Sequence, residues 1–282
     1  LDEHKRPIAI KIKERAETMK LVEEFMLLAN KEVAHFIGGD KKENRLFVYR
    51  IHDLPNAEKI EELSLFLKGL GYELPHKRGK VAARDLNNLL EAIHEREESG
   101  LIETAAIRSM AKAIYSTKNN GHYGLAFKYY THFTSPIRRY PDLVVHRLLF
   151  EYLEERHIAK EHLEEYNKIS AHSSVREKEA ADAERASIKY KQTEYMADRV
   201  GQQFDGSVTG VSQNGLFVEE KESKCEGMIR LRDLGNDYFE YNEKELAIVG
   251  KRTGKAFRIG DKVRFKVAGA DITKRMIDYK LI

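Results

Sequence analysis

The sequence is short of cysteine, of strong net charge and of long apolar runs, and each shortage excludes something. A single cysteine, Cys225, rules out an internal disulfide framework and the four-ligand zinc patterns built on paired cysteines. Such a chain suits a reducing compartment, and we expect it in the cytoplasm. There is no run of 18 apolar residues and no recognisable signal peptide, so neither a spanning helix nor a membrane partner is expected. The histidines lack metal-ligand spacing on one helix face, so a histidine zinc site is not expected either. The net charge is only +3 and the pI about 8.6, too mild a balance to establish a nucleic-acid partner. Any such claim must rest on local patches.

Against these shortages stand 41% apolar residues, enough for a packed core, and 34% charged residues, a heavily charged surface. With 282 residues the chain accommodates one large domain or two unequal ones. The first residue is Leu1 rather than Met, and the opening is abruptly charged. We take this as the mark of a piece of a longer polypeptide.

Apolar periodicity organises the first two thirds. Residues 7–13 alternate as a strand end or linker. Met19, Val22, Met26, Ala29, Val33 and Phe36 recur at helical spacing from about Glu14 to Ile37, where Gly38-Gly39 stops the run. Leu46 to Ile51 predicts a strand. After Pro55 a helix is expected with Ile60, Leu63, Leu67 and Leu70 as its apolar stripe, followed by helices over Ala83–His94 and Leu101–Tyr115. Neither Gly nor Pro occurs from Asp142 to Val200, which predicts two long helices joined near Arg156 or His157. At Gly201 the character changes. Five short strands are expected over 204–211, 215–220, 227–231, 262–268 and 276–281, with Asn214-Gly215 as the strongest hairpin signal. The fold class is therefore α+β, a mostly helical domain over 1–200 followed by a five-stranded OB-type barrel over 201–282.

The densest chemistry lies in His132-Phe133-Thr134-Ser135-Pro136-Ile137-Arg138-Arg139-Tyr140-Pro141-Asp142. Pro136 stiffens a turn that carries two adjacent arginines at a helix start, and Asp142 is placed to cap that helix. A guanidinium fork held this way matches phosphate bidentately, and helix-start amides favour the same charge. A helix cap with solvated arginines is the plainer alternative. Gly250-Lys251-Arg252-Thr253-Gly254-Lys255-Ala256 looks like a phosphate loop, but it has three residues between its glycines where four are needed, and Ala256 stands where a hydroxyl is needed.

The segment from Tyr123-Gly124-Leu125 through Thr134-Ser135-Pro136-Ile137-Arg138-Arg139-Tyr140-Pro141-Asp142-Leu143 to His146-Arg147 resembles the signature of the RNB catalytic domain of the ribonuclease II/R family. Arg50-Ile51-His52-Asp53 and Asn236-Asp237-Tyr238-Phe239 with Phe257 to Asp261 extend the resemblance over nearly the whole chain, most weakly over 77–100. The resemblance implies a 3′→5′ exoribonuclease that degrades single-stranded RNA hydrolytically to 5′-nucleotides, a monomer with RNA as its partner. It assigns Arg138 to the scissile phosphate and Glu184 to a carboxylate near the catalytic cavity. Glu23 would meet the terminal nucleotide's sugar, and Arg139, Tyr140 and His146 would contact RNA. Solvated helix faces are the alternatives for Glu184 and Glu23.

The tail resembles the ribosomal S-one-type RNA-binding fold. Phe217 would stack on bases, with barrel core as the alternative, and Arg230 and Arg232, two residues apart on one strand face, would favour phosphate. The family also implies magnesium held by an aspartate cluster, Gly-x-Asp…Asp-x-Asp-Asp. Here Asp40, Asp53, Asp142 and Asp182 stand alone. The ligands are expected upstream of this chain, no metal site within it, and no activity from it by itself. A non-catalytic RNA-binding protein on the same scaffold is the second reading.

Overall fold

Apolar spacing sets most helices where it predicts them, but on α1 the buried face is Asn30, Ala34 and Ile37, while Met19, Val22 and Phe36 of the expected stripe are exposed. The computed structural model describes residues 1–12, 16–39, 45–93, 96, 99–156, 158, 160–243 and 247–282. Glu14, Asp40, His94 and His157, which figure in the expectations above, lie outside them. Helix α1 runs over Glu17–Gly38, α2 over Ala57–Gly69, α3 over Ala83–Ile93, α4 over Ser99–Ser109, α5 over Tyr140–Leu153 and α6 over Leu163–Ala197. Asn56 caps α2, its side-chain oxygen accepting the Glu58 amide, and Ile60, Leu63 and Leu67 bury the expected stripe. The long Gly- and Pro-free stretch divides between Leu153 and Leu163, as expected.

Two elements differ from expectation. The helix foreseen to Tyr115 ends at Ser109, whose hydroxyl donates back to the Ala106 carbonyl. Ile114–Ser116 instead forms strand β2, antiparallel to β1 over Tyr49–Ile51, with Arg50 opposite Tyr115. A β-branched residue and an aromatic with a strand partner to hand favour the ladder over another helical turn. Strand β1 is also shorter than expected. Leu46, Phe47 and Val48 are buried, but side chains serve their backbone: Tyr152 donates to the Leu46 carbonyl at 2.7 Å and Thr131 to that of Val48 at 2.7 Å.

The chain divides into two compact units, one of residues 14–95 and 102–180, the other of 1–13, 96–101 and 181–282. The first unit has two cores. Ala34, Ile37, Phe47, Val48, Val145 and Leu148 gather α1, α5 and the short strands, while Ile60, Leu67, Leu86, Ile93 and Ile102 gather α2 to α4.

The second unit is built on β3 (Gln203–Ser212), β4 (Gly215–Glu220), β5 (Glu226–Arg230), β9 (Lys262–Asp271) and β10 (Met276–Leu281), which close a barrel in the order β10-β5-β4-β3-β9. These are the five expected strands. Between β5 and β9 lies a three-stranded sheet that periodicity did not reveal: β6 (Phe239–Asn242), β7 (Ala247–Gly250) and β8 (Ala256–Arg258). Its strands are only three or four residues long, too short for alternation to register. The turn after β7 is the apparent phosphate loop. The Asp237 carboxylate fills it, accepting from the Arg252 and Thr253 amides and the Thr253 hydroxyl, and that hydroxyl above all holds its pKa down to about 2.

Val208, Leu216, Val218, Ile229, Phe265, Val267 and Tyr279 fill the barrel. The Tyr279 ring, essentially fully buried, passes over Gly227, where an added Cβ would stand 2.5 Å from it. Gly227→Ala should therefore destabilise the barrel by about 1–3 kcal/mol, because a packed core yields to an extra methyl only by strain. Urea unfolding followed by tyrosine fluorescence reads this, and an unchanged midpoint would contradict the packing.

Candidate nucleic-acid interface

Side chains from two helices, α1 and α5, hold the segment that leads into α5. From α1 the buried Asn30 accepts the amides of Phe133 at 2.9 Å and Thr134 at 3.2 Å and donates to the Tyr130 hydroxyl. From α5, His146 lies 4.0 Å from the Phe133 ring in a parallel stack, its Nε2 2.9 Å from the Phe133 carbonyl. A carbonyl only accepts, so Nε2 carries the proton. His146 thus secures the segment as well as bordering it. Asp142, with no exposed surface, accepts from the Ser135 amide and the Arg139 guanidinium, each at 2.8 Å.

Asp142 therefore does not cap α5. The cap position is Arg139, whose side chain makes no capping bond, and Asp142 sits inside the first turn, reaching back to tie the preceding loop. Ser135 closes that loop by accepting the Arg139 amide at 3.0 Å. Ile137 stands fully exposed at its tip and Tyr140 is half exposed. The two arginines are thus unlike. Arg139 is spent on the buried carboxylate. Arg138 is exposed, and its guanidinium makes no hydrogen bond or ion pair among the described residues.

A cavity of about 620 Å³ opens beside this turn, its wall including Tyr115, Arg138, Arg139, His172, Arg176 and Glu177. Glu177 is the carboxylate that sequence reasoning missed. It binds Arg50 bidentately at 2.6 and 3.1 Å, and Arg50 lies 4.6 Å over the Tyr115 ring. Nothing in the sequence marks it: the structure places it one turn after the buried Ser173 on the same face of α6. Glu184, seven residues further along α6, is exposed and falls in the other unit. Glu23 lies on the exposed face of α1.

Behind the cavity wall His132 Nδ1 lies 2.8 Å from the Tyr115 hydroxyl. Burial above all, then the neighbouring Arg139 and Arg50, pushes its pKa down to about 3. Burial and the adjacent His52 lower His122 to about 4, and burial raises Tyr115 to about 12. The arginines are thus backed by neutral rings.

On the barrel, Phe217 points outward from β4, a little over a third exposed, and covers Gly210, where a Cβ would stand 3.3 Å from its ring. It is not core. Arg230 ends β5 and binds both carboxylate oxygens of Asp278 at 3.2 Å. Arg232 does not share its strand face, because Leu231–Asp233 turns into a 3₁₀ helix and leaves Arg232 exposed.

Comparison with known proteins bears on both units. Residues 1–155 match the RNB domain family and residues 197–281 the S1 RNA binding domain. The chain is 39% identical to ribonuclease R of Thermotoga maritima and 38% identical to that of Aquifex aeolicus, in each case over all of this chain and 40% of the relative. It thus spans less than half the length of these relatives. Among solved structures it resembles Mycoplasma genitalium RNase R in complex with ribose-methylated single-stranded RNA, with a TM-score of 0.89 and 26% identity over all of this chain and 44% of that one.

The depressed histidines make a titration prediction. Folded His132 binds its proton only near pH 3 and His122 near pH 4, against 6.5 when unfolded. Between those values the unfolded chain holds more protons, so stability rises with pH and is lost as pH falls below about 6.5. Unfolding free energy should decline between pH 7 and 5, and His132→Gln should flatten that decline. Nitrogen-15 shifts should show both rings neutral at pH 5; a protonated His132 there would contradict the burial argument.

Proposed function

The chain belongs to the RNB ribonuclease family and carries an S1 RNA binding domain, and from that premise we propose that it forms the RNA-gripping part of a 3′→5′ exoribonuclease that hydrolyses single-stranded RNA to 5′-nucleotides in the cytoplasm. The observation that carries this reading is the unpaired guanidinium of Arg138 on a turn fixed by the buried Asp142. A cation held without an internal partner among the described residues costs little reorganisation when a phosphate arrives, and in this reading it would offset the negative charge that grows during displacement at phosphorus. Arg139 and Glu177 have different parts. Arg139 tethers the turn, and Glu177 holds Arg50 on Tyr115 so that the cavity wall keeps its shape.

Tyr140 and Phe217 offer exposed rings to bases, and Arg232 offers charge to phosphate. Arg230, already on Asp278, would first have to exchange that partner. Glu23 is proposed at the terminal sugar, and Glu184 as a carboxylate of the longer enzyme's cavity. Among the described residues no group of three or more His, Cys, Asp or Glu side chains could hold a metal ion. The residues present do not fit the magnesium site of the family. That same observation favours the second reading, a non-catalytic RNA-binding scaffold, for the chain taken alone.

Two outcomes follow. The 282-residue chain should bind single-stranded RNA in an anisotropy titration and release no mononucleotides in magnesium, and Arg138→Ala should weaken binding about tenfold, the loss of one charge-assisted contact. In a polypeptide of the relatives' length, Arg138→Lys should lower single-turnover rate far more than affinity, since lysine keeps the charge and loses the fork. Unchanged affinity in the first variant and unchanged rate in the second would reject the assignment; rapid hydrolysis by the short chain would reject its inactivity.

A further inference from the structure

Strand β9 alternates over residues 262–267, with Val263, Phe265 and Val267 inward and Lys262, Arg264 and Lys266 outward, before the register shifts past Val267. Residues two apart on a strand are spaced by about 6.6 Å on one face, so the three cations form a row. The adjoining strand adds to it, because β10 sets Lys280 directly opposite Lys266. Like charges facing across a ladder destabilise it, and neither lysine has an acidic partner to offset this. Among the described residues Lys262, Lys266 and Lys280 make no ion pair, and Arg264 has only Asp205, at 3.8 Å. Beside the row lies a polar hollow of about 320 Å³, lined by Lys255, Lys262 and Arg264 with Asp261. Asp261 is itself occupied, accepting the Arg258 amide at 2.7 Å.

The β9–β10 face thus groups Lys262, Arg264, Lys266 and Lys280, in a chain whose net charge is only +3. That face is not the one carrying Phe217. In the order β10-β5-β4-β3-β9 the strands β4 and β9 are separated by β3 on one side and by β5 and β10 on the other, as far apart as a closed five-stranded wall permits. We propose that the β9–β10 face, through Lys262, Lys266 and Lys280, is a second RNA contact of this barrel, one that reads only the phosphate backbone. The inference rests on the reading of the barrel as RNA-binding. Stacking at Phe217 and the lysine row then act on different stretches of one strand that passes around the barrel. A regular row of cations with no aromatic among them suits a polyanion of even charge spacing rather than an acidic protein patch.

The test titrates the full chain with labelled oligouridylates of about 6 and about 20 nucleotides, bracketing one barrel's site size, at salt from about 50 to 200 mM. The comparison is with Phe217→Ala and with the triple variant Lys262→Gln, Lys266→Gln, Lys280→Gln. Phe217→Ala should weaken both oligomers. The triple variant should lower the salt slope for the longer one by about 2, close to 0.7 per phosphate contact, and leave the shorter nearly unaffected. Having lost the Lys266–Lys280 repulsion, it should melt no lower than the parent chain. An unchanged slope with the longer oligomer, while Phe217→Ala still weakens binding, would overturn the second face and leave the barrel's RNA binding intact. Failure of the unaltered chain to bind either oligomer would overturn both. Retained RNA binding with loss of binding to an acidic peptide would overturn the choice of ligand.

Discussion

The carboxylate of Asp142 carries more of this structure than its single charge suggests. It is wholly buried, and burying a charge is costly unless partners replace the water it loses. Its partners are the Ser135 amide and the Arg139 guanidinium, which belong to the turn that presents Arg138. Removing either partner would leave the charge uncompensated, so the turn cannot unwind cheaply. This is why Ile137 and Arg138 can stand in solvent at the tip of a segment that holds its form. The arrangement is not saturated: Asp142 Oδ1 and Arg139 Nε are buried without partners among the described residues.

The same logic of a fixed base beneath an available group recurs on the barrel. Phe217 rests over Gly210, where a Cβ would press on its ring at 3.3 Å, while Leu216 and Val218 on either side are buried. The close approach of Tyr279 to Gly227 locks β5 to β10 from inside the wall. The interior thus determines which side chains are left for the exterior, and strand alternation delivers the β9 cations to one face without special geometry.

How much of this could be seen in the sequence depends on the range of the interaction. The stripe of α2, the five barrel strands and the stiff Pro136–Arg139 turn follow from neighbours two to four residues apart, and each stands where periodicity places it. What escaped is non-local. Nothing near Tyr115 announces that β1, some sixty residues earlier, will claim it for a strand. Asp142 has the composition of a cap, and only the buried environment shows it reaching backward instead. Arg138 and Arg139 are indistinguishable in sequence until Asp142 takes one of them. Glu184 and Glu177 lie on one helix with similar neighbours, and only the packing of α6 against Arg50 and Tyr115 singles out Glu177.

Whether Asp142 acts on RNA binding by positioning the turn that carries Arg138 is read from a double-mutant cycle. RNA affinities are measured for the chain, for Asp142→Asn, for Arg138→Ala and for the double variant, at a temperature where all four are folded. If positioning is the link, Asp142→Asn weakens binding in the presence of Arg138 and has almost no further effect once Arg138 is alanine. Losses that add to within about 0.5 kcal/mol would show that the two residues act independently and that the turn is not positioned by Asp142.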